Sequence, residues 1–292
     1  MNLHQLYIFH KVAQLEHFSR AAEELFISQP AVSKGVQELE KALGQPLFDH
    51  IGRNVQLNQA GRLLYDYANQ IFALENEAET ALQQLDGLER GRLAISATMT
   101  IGTYLLPEPL GRFRTLYPAI ELSLDIANAA EVQAKVLANL FEVGLVEGFV
   151  TAPELVSSVW RQDEMVLIDA TRQPLIAEEV LSLSQLLERR IPFILREPGS
   201  GTRAVLDKAI ASRQLPPIKP ALQLNSLEAI KRTVSAGLGV SFVSNHSVKL
   251  EIELGLIRRV RLTDFELIRS LHLVSAPGKK LSKATQAFLK LI

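Results

Sequence analysis

Hydrophobic positions in the first 58 residues recur at helical spacing in three short sets separated by polar breaks. Leu6, Phe9, Val12 and Ala13 form one stripe, so residues 3–14 read as a helix. Asn2 and Gln5 have the spacing of a capping box at its start. Ser19, as N-cap, predicts a short second helix over 20–25, and Phe26 and Ile27 form a tight connection. Ser28 caps a third helix with Pro30 tolerated in its first turn. On that helix Val32, Val36, Leu39 and Leu43 share one face, and Gln29, Pro30, Ser33, Lys34 and Gln37 share another; Gly44 ends it. Residues 47–57 then read as two short strands around Gly52, Arg53 and Asn54.

Three helices followed by a β-wing predict an α-rich winged helix-turn-helix over residues 1–58. A face of short polar groups with one lysine suits the major groove of double-stranded DNA, and Arg53 at the wing tip suits the minor groove or a phosphate. A small three-helix domain used for protein contacts fits the same pattern. Charge does not decide between them. The chain carries a net charge of −1. Within the module, Lys11, Arg20, Lys34, Lys41 and Arg53 face Glu16, Glu23, Glu24, Glu38, Glu40 and Asp49. DNA binding would therefore depend on a locally basic edge, on helix N-termini and on pairing of two copies.

A linker helix is expected over 59–90. Between 59 and 88 there is no proline, and Gly61 is the one glycine before Gly87. Ala60, Leu64, Tyr67, Ile71, Leu74, Ala78, Ala81, Leu85 and Leu88 alternate four and three apart, the seam of a coiled coil. Such a seam would pair two modules on a dyad-symmetric site as a homodimer or tetramer. A long amphipathic helix packed on its own domain is the alternative. Gly87 and Gly91 form a hinge beyond it.

From Arg92 the pattern changes to strands at 92–97, 120–126, 143–149 and 192–195, alternating with helices at 101–117, 129–140, 202–213 and 226–236. This implies βαβ units and a largely parallel sheet, with ligands held where strands give way to helices. Thr98, Met99 and Thr100 occupy one such junction, and Ser200, Gly201 and Thr202 another. Hydroxyls and free N–H groups make each a candidate anion nest, although Ser and Thr there are also ordinary helix caps. Arg196 and Arg203 add charge or join surface or inter-lobe ion pairs.

The histidines, at 4, 10, 17, 50, 246 and 272, have no metal-ligand spacing, and Ser200 lacks the context of a nucleophile elbow. We therefore expect no catalysis, no metal and no cofactor. There are no cysteines, which excludes a thiol sensor and fits a cytoplasmic protein. No apolar run reaches the roughly 18 residues that span a bilayer, and the start of the chain has no secretory pattern, so no membrane association is expected. Besides a regulator, a transport-type solute-binding protein and a pure oligomerisation scaffold remain as alternatives.

Specific runs carry a resemblance. Residues 19–25 (SRAAEEL), 28–33 (SQPAVS), and Leu39-Glu40 followed by Leu47-Phe48 are similar to the N-terminal signature of LysR-type transcriptional regulators. Residues 104–107 (YLLP), 146–148 (VEG), 196–203 (REPGSGTR) and 236–240 (AGLGV) resemble that family's effector domain. The resemblance implies that the third helix reads DNA through Gln29, Pro30, Ser33 and Lys34, flanked by Arg53; Ser19, Arg20, Ser28 and Gln37 complete the candidate interface. It implies a two-lobed, periplasmic-binding-protein-like α/β domain over 91–292, with lobe one at 91–163 plus 268–292 and lobe two at 164–267. An effector would sit between the lobes against Thr98, Met99, Thr100, Gly148, Phe149, Ser200, Gly201 and Thr202. The donor-rich lining suits a small anionic metabolite. Three positions depart from the family pattern: His50 replaces an arginine, Asn58 replaces a threonine cap, and Glu142, where aspartate is usual, reads as a surface change.

Overall fold

A computed structural model describes residues 2–51, 54–83 and 91–292, in two compact units divided between Glu79 and Thr80. Arg53, Gly87, Leu85, Leu88 and the side chain of Ala81 lie outside the described parts, as does the side chain of His50.

The first unit contains α1 (Leu3–Leu15), α2 (Phe18–Leu25), α3 (Gln29–Leu43), the hairpin β1 (Phe48–Ile51) and β2 (Asn54–Leu57), and all but the last turn of α4 (Gln59–Gln83). Its core gathers Leu6, Phe9, Val12, Ala21, Val32, Val36, Leu39, Phe48 and Val55, so the predicted stripes turn inward except at Leu43, which is exposed at the end of α3. Asn2 caps α1 through Gln5 N–H at 2.8 Å, but the Gln5 side chain reaches Glu38 instead of closing the box. Ser19 is not the cap of α2. His17 stands there, its Nδ1 accepting from the N–H groups of Ser19 and Arg20, and the helix begins at Phe18. An imidazole acceptor can do what a hydroxyl does at this position, which the usual cap preferences hide. Asn58 does cap: Oδ1 accepts from Gly61 N–H at 2.8 Å, and Nδ2 donates to Pro46 O. Gly61 itself is required, because a Cβ there would lie 2.0 Å from the carbonyl oxygen of Leu47.

Along α4 the seam divides. Ala60, Leu64 and Ile71 pack against the unit's own core with Tyr65 and Phe72, whereas Leu63, Tyr67 and Leu74 are exposed. Ala60, Leu64 and Ile71 thus pack as an amphipathic helix does on its own domain, while Tyr67 and Leu74 of the predicted seam face solvent.

The second unit alternates strand and helix: β3 (Gly91–Thr98), a π-helical turn (Ile101–Leu105), α5 (Pro107–Leu116), β4 (Ile120–Ala127), α6 (Ala129–Leu137) and β5 (Val143–Glu147). A 15-residue strand, β6 (Val156–Ala170), follows, then β7 (Val180–Leu181), α7 (Leu183–Glu188), β8 (Phe193–Arg196), α8 (Gly201–Ala211), β9 (Pro220–Leu224) and α9 (Leu227–Ser235). The chain ends with β10 (Ser241–Ser244), α10 (Lys249–Glu253), β11 (Ile257–Leu262), β12 (Leu267–Ser275) and α11 (Lys283–Leu289). Strand β5 stops at Glu147, two residues short of expectation, because Gly148 turns the chain with φ +79.

The sheet order is β4-β3-β5-β12-β6-β11-β7, with β10 also on β6, and β8 pairs in parallel with β9. Parallel pairs β3–β4 and β3–β5 build one lobe, and antiparallel β12 and β6 carry the chain across to the other. The first lobe's core includes Leu93, Ile95, Phe113, Leu145 and Phe288; the second's includes Leu167, Leu195, Leu206 and Phe242. Glu142 is buried, not a surface change. It accepts from the Ser282 N–H at 3.0 Å and hydroxyl at 2.8 Å, tying the start of α11 to the loop before β5.

Candidate DNA-reading face and effector cleft

In the first unit, Ser28 accepts from Ala31 N–H and fixes the start of α3. Gly35 lets α3 sit close to α1, since a Cβ would meet Ile8 Cδ1 at 2.8 Å. The opposite face stays in solvent: Gln29, Pro30, Lys34 and Gln37 are exposed, Ser33 half so, and Ser19 and Arg20 are exposed on α2. Its polar groups are lightly engaged, with Gln29 Nε2 donating to Ser33 Oγ at 2.8 Å and Lys34 lying 3.8 Å from Glu38. Phe26, the connection residue, is 95% exposed with φ +54 beside this face. Inside the unit, His10 stacks on Tyr65 and bonds Asn69 at 2.8 Å; burial lowers its pKa below 6.5.

In the second unit the predicted junctions meet. Thr98 ends β3, Thr100 stands just before the π-helical turn, Ser200, Gly201 and Thr202 begin α8, and all are buried. Their donors, however, already have an anion. Glu147, at the end of β5 and 2% exposed, accepts from Thr100 N–H at 2.6 Å, Arg269 Nη1 at 2.5 Å and Thr202 Oγ1 at 3.3 Å. Arg269, on β12, also donates to Thr202 Oγ1 at 2.7 Å, Thr100 Oγ1 at 3.1 Å and Asp163 Oδ2 at 2.8 Å. Asp163, on β6, accepts a further bond from Ser244 at 2.8 Å. Burial opposes ionisation of Glu147, but Arg269 and the Thr100 N–H prevail and hold its carboxyl below the usual range. The Thr98 hydroxyl lies close enough to contribute, yet makes no hydrogen bond of good geometry and is left without a partner.

The remaining residues close this space. Gly148 packs on Gly201 and Val205, and a Cβ on Gly201 would lie 2.0 Å from the Glu147 carbonyl oxygen. Phe149 lies under Lys208 Nζ, 4.3 Å from the ring centroid. Met99 packs on the second lobe's inner cluster with Tyr104, whose ring lies 5.3 Å from Lys231. Arg196 and Arg203 pair with Glu197 and Asp207, each at 2.7 Å. A cavity of about 1360 Å³ lined by Glu164, Arg213, Arg259, Phe265 and others does not include Thr98, Thr100 or Thr202.

Arg269, Asp163 and Glu147 were not selected from sequence as cleft residues. One signal was available. Leu267, Arg269 and Leu271 occupy alternate, buried positions of one strand, so an arginine sits where the pattern calls for an aliphatic residue.

Comparison with known proteins agrees with this two-part layout. The family model "Bacterial regulatory helix-turn-helix protein, lysR family" matches residues 3–62, and "LysR substrate binding domain" matches 86–292. A probable RuBisCO transcriptional regulator of Synechocystis sp. is 35% identical over 294 residues, covering 99% of this chain and 84% of the relative. The crystal structure of CbnR, a LysR family transcriptional regulator, superposes with a TM-score of 0.71 at 22% identity, covering 100% of this chain and 98% of that one. The regulatory domain of Synechocystis PCC6803 CcmR in complex with 2-PG has a TM-score of 0.62 at 28% identity, covering 69% of this chain and 95% of that domain.

Proposed function

The chain belongs to the LysR family of bacterial helix-turn-helix regulators, and from that premise we propose how its parts divide the work. It is a DNA-binding transcription regulator controlled by a small molecule. Residues 1–58 read a dyad-symmetric promoter site as a pair, 59–90 join the copies, and 91–292 bind the effector, with lobe one at 91–163 plus 268–292 and lobe two at 164–267.

The observation that carries the DNA-reading role is the exposed polar face of α3, where Gln29, Pro30, Lys34 and Gln37 project from a rigidly packed helix. Lys34 meets phosphate, Gln29 and Ser33 meet base edges, and Ser19, Arg20 and Ser28 hold the neighbouring backbone. Arg53 would add a wing contact. The effector is a small anion held between the lobes by Thr98, Thr100, Ser200, Thr202 and neighbouring N–H groups. The CcmR domain's complex with 2-PG supports an effector at this kind of domain. An effector that favours one lobe arrangement shifts the population and changes how paired modules meet DNA.

The protein acts in the cytoplasm and catalyses nothing; its relatives are transcription regulators, and among the described residues no helix is long and apolar enough to cross a membrane. The deciding experiment is a footprint on DNA upstream of the protein's own gene, with and without a panel of organic acids, sugar phosphates and sulfur oxyanions. Protection that changes extent with one anion is the expected outcome. No protection on any upstream fragment refutes the DNA reading, and a response to apolar compounds alone refutes the anionic effector.

A further inference from the structure

The buried cluster around Arg269 contains more negative than positive charge before any effector arrives. Glu147 and Asp163 set two carboxylates against the single guanidinium of Arg269, and all three side chains are buried. An effector anion placed beside them would bring three negative charges to one positive charge in a desolvated site. Buried charge without a partner is strongly unfavourable, so this arrangement is not a stable complex. The donors that suit an oxyanion are also already committed. Thr100 N–H, the Thr202 hydroxyl and Arg269 Nη1 all converge on the Glu147 carboxylate, at 2.5 to 3.3 Å.

We propose that Glu147 is a built-in anion that occupies the effector's nest, and that an anionic effector acts by displacing it from Thr202 and Arg269. This rests on the reading of the cleft as the effector site. Glu147 lies on β5, whereas Thr202 begins α8 in the other lobe, so its carboxylate bridges the two lobes in the absence of effector. The lobes also touch at Gly148 and Gly201, at Phe149 and Lys208, and at Tyr104 and Lys231. Exchange of the internal carboxylate for a free anion preserves the charge count in the nest. The charge in the nest is then no longer attached to β5, because the hydrogen bonds from Thr202 and Arg269 pass to the free anion, and the lobes can take a different spacing. The internal competitor lowers the apparent affinity of every anion by the fraction of time it occupies the nest.

The cluster also indicates which variants fold. Loss of Glu147 leaves Arg269 paired with Asp163 at 2.7 Å, one carboxylate to one guanidinium, so Glu147→Ala removes an excess charge and exposes no unpaired one. Glu147→Gln keeps the shape if the cavity proves harmful. Formate and sulfate serve as probes, titrated into full-length wild type, E147A and E147Q and followed by thermal shift and calorimetry.

We expect both anions to bind E147A saturably, more tightly than wild type by a factor on the order of ten, within the usual range of coupling between linked events. E147Q should fall between them, and formate should restore to E147A the melting temperature of wild type. Equal affinity for wild type and E147A, or no anion binding by either variant, overturns the proposal. So does uptake of one proton per anion bound by wild type, since Glu147 would then stay in place and be neutralised. Gel shifts on the upstream DNA run in parallel. Their failure would count against the regulator reading, while the anion titrations would still decide the role of Glu147.

Discussion

At the start of α3, Ser28 caps the helix and Gln29, Ser33 and Lys34 stand in solvent with weak local contacts. At the start of α8, Ser200 and Thr202 are buried, the Ser200 side chain caps nothing, and the Thr202 hydroxyl bonds both Glu147 and Arg269. Both helices have a serine at the N-cap position. They differ in what water is allowed to do. An exposed face keeps its hydrogen-bonding capacity available to a large, highly charged partner, and water satisfies it meanwhile. A buried nest left unsatisfied costs about 1–3 kcal/mol for each unpaired polar group, as at the Thr98 hydroxyl. The cleft therefore satisfies itself with an internal carboxylate, and a ligand must compete for what the DNA-reading face offers freely.

The sharpest way to break this contrast is Arg269→Ala, which leaves Glu147 and Asp163 buried and facing each other. It should cost about 3–5 kcal/mol of effector-domain stability, as expected for removing one partner of a buried ion network. Urea unfolding of the full chain measures it; a loss under 1 kcal/mol would mean that the carboxylates reach water.

A second test treats the two regions symmetrically. Gly61→Ala and Gly201→Ala would each drive a Cβ to 2.0 Å from a backbone carbonyl, of Leu47 and Glu147 respectively. Each should cost about 1–3 kcal/mol or more by overpacking. Their functional effects should separate: Gly61→Ala impairs DNA binding by shifting the wing, and Gly201→Ala alters effector response with DNA affinity retained. Gel shifts and anion titrations on the same two variants report this.

A smaller effect is expected at the exposed face. Lys34→Ala should weaken binding across DNA sequences and reduce the salt slope by about 1, and Ser33→Ala should relax preference at one base position. Neither should move the melting temperature, and a drop of several degrees in Ser33→Ala would place its hydroxyl in the fold instead of on DNA.

The smallest effect concerns pH. Burial lowers the pKa of His10 below 6.5, so the folded state binds fewer protons there than the unfolded chain. Stability of the first unit is then complete above about pH 6.5, falls as the pH drops below that value, and levels off below the folded pKa. The slope between pH 6.5 and 5.5 should disappear in His10→Gln, as followed by urea unfolding.

Periodicity and local capping were sufficient for the first unit. Its helices are short, amphipathic and consecutive, so each stripe identifies its own buried face, and Asn58 and Gly44 mark boundaries where they were expected. The exceptions are Gln5, whose side chain reaches Glu38 and leaves the capping box open, and His17, whose capping role depends on a ring nitrogen rather than on a habitual cap residue. In the second unit the parallel strands β3, β4, β5 and β8 were legible as short apolar runs, whereas β6 and β12 were not. The first half of β6 is exposed and polar and its second half is buried on both faces, so neither alternation nor a uniform apolar run appears. It crosses between lobes, and its surroundings change halfway.

The sequence by itself determined the helical module, its polar face and the two hydroxyl-bearing junctions, because each of these is set by residues within a few positions of one another. Tertiary structure alone decided that the junctions converge on Glu147, and that Arg269 and Asp163 complete the cluster. Those contacts link positions 47 to 169 residues apart, and a buried charge is tolerable only where the fold supplies its partner. No local pattern encodes that pairing, so the nest was visible in the sequence and its occupant was not.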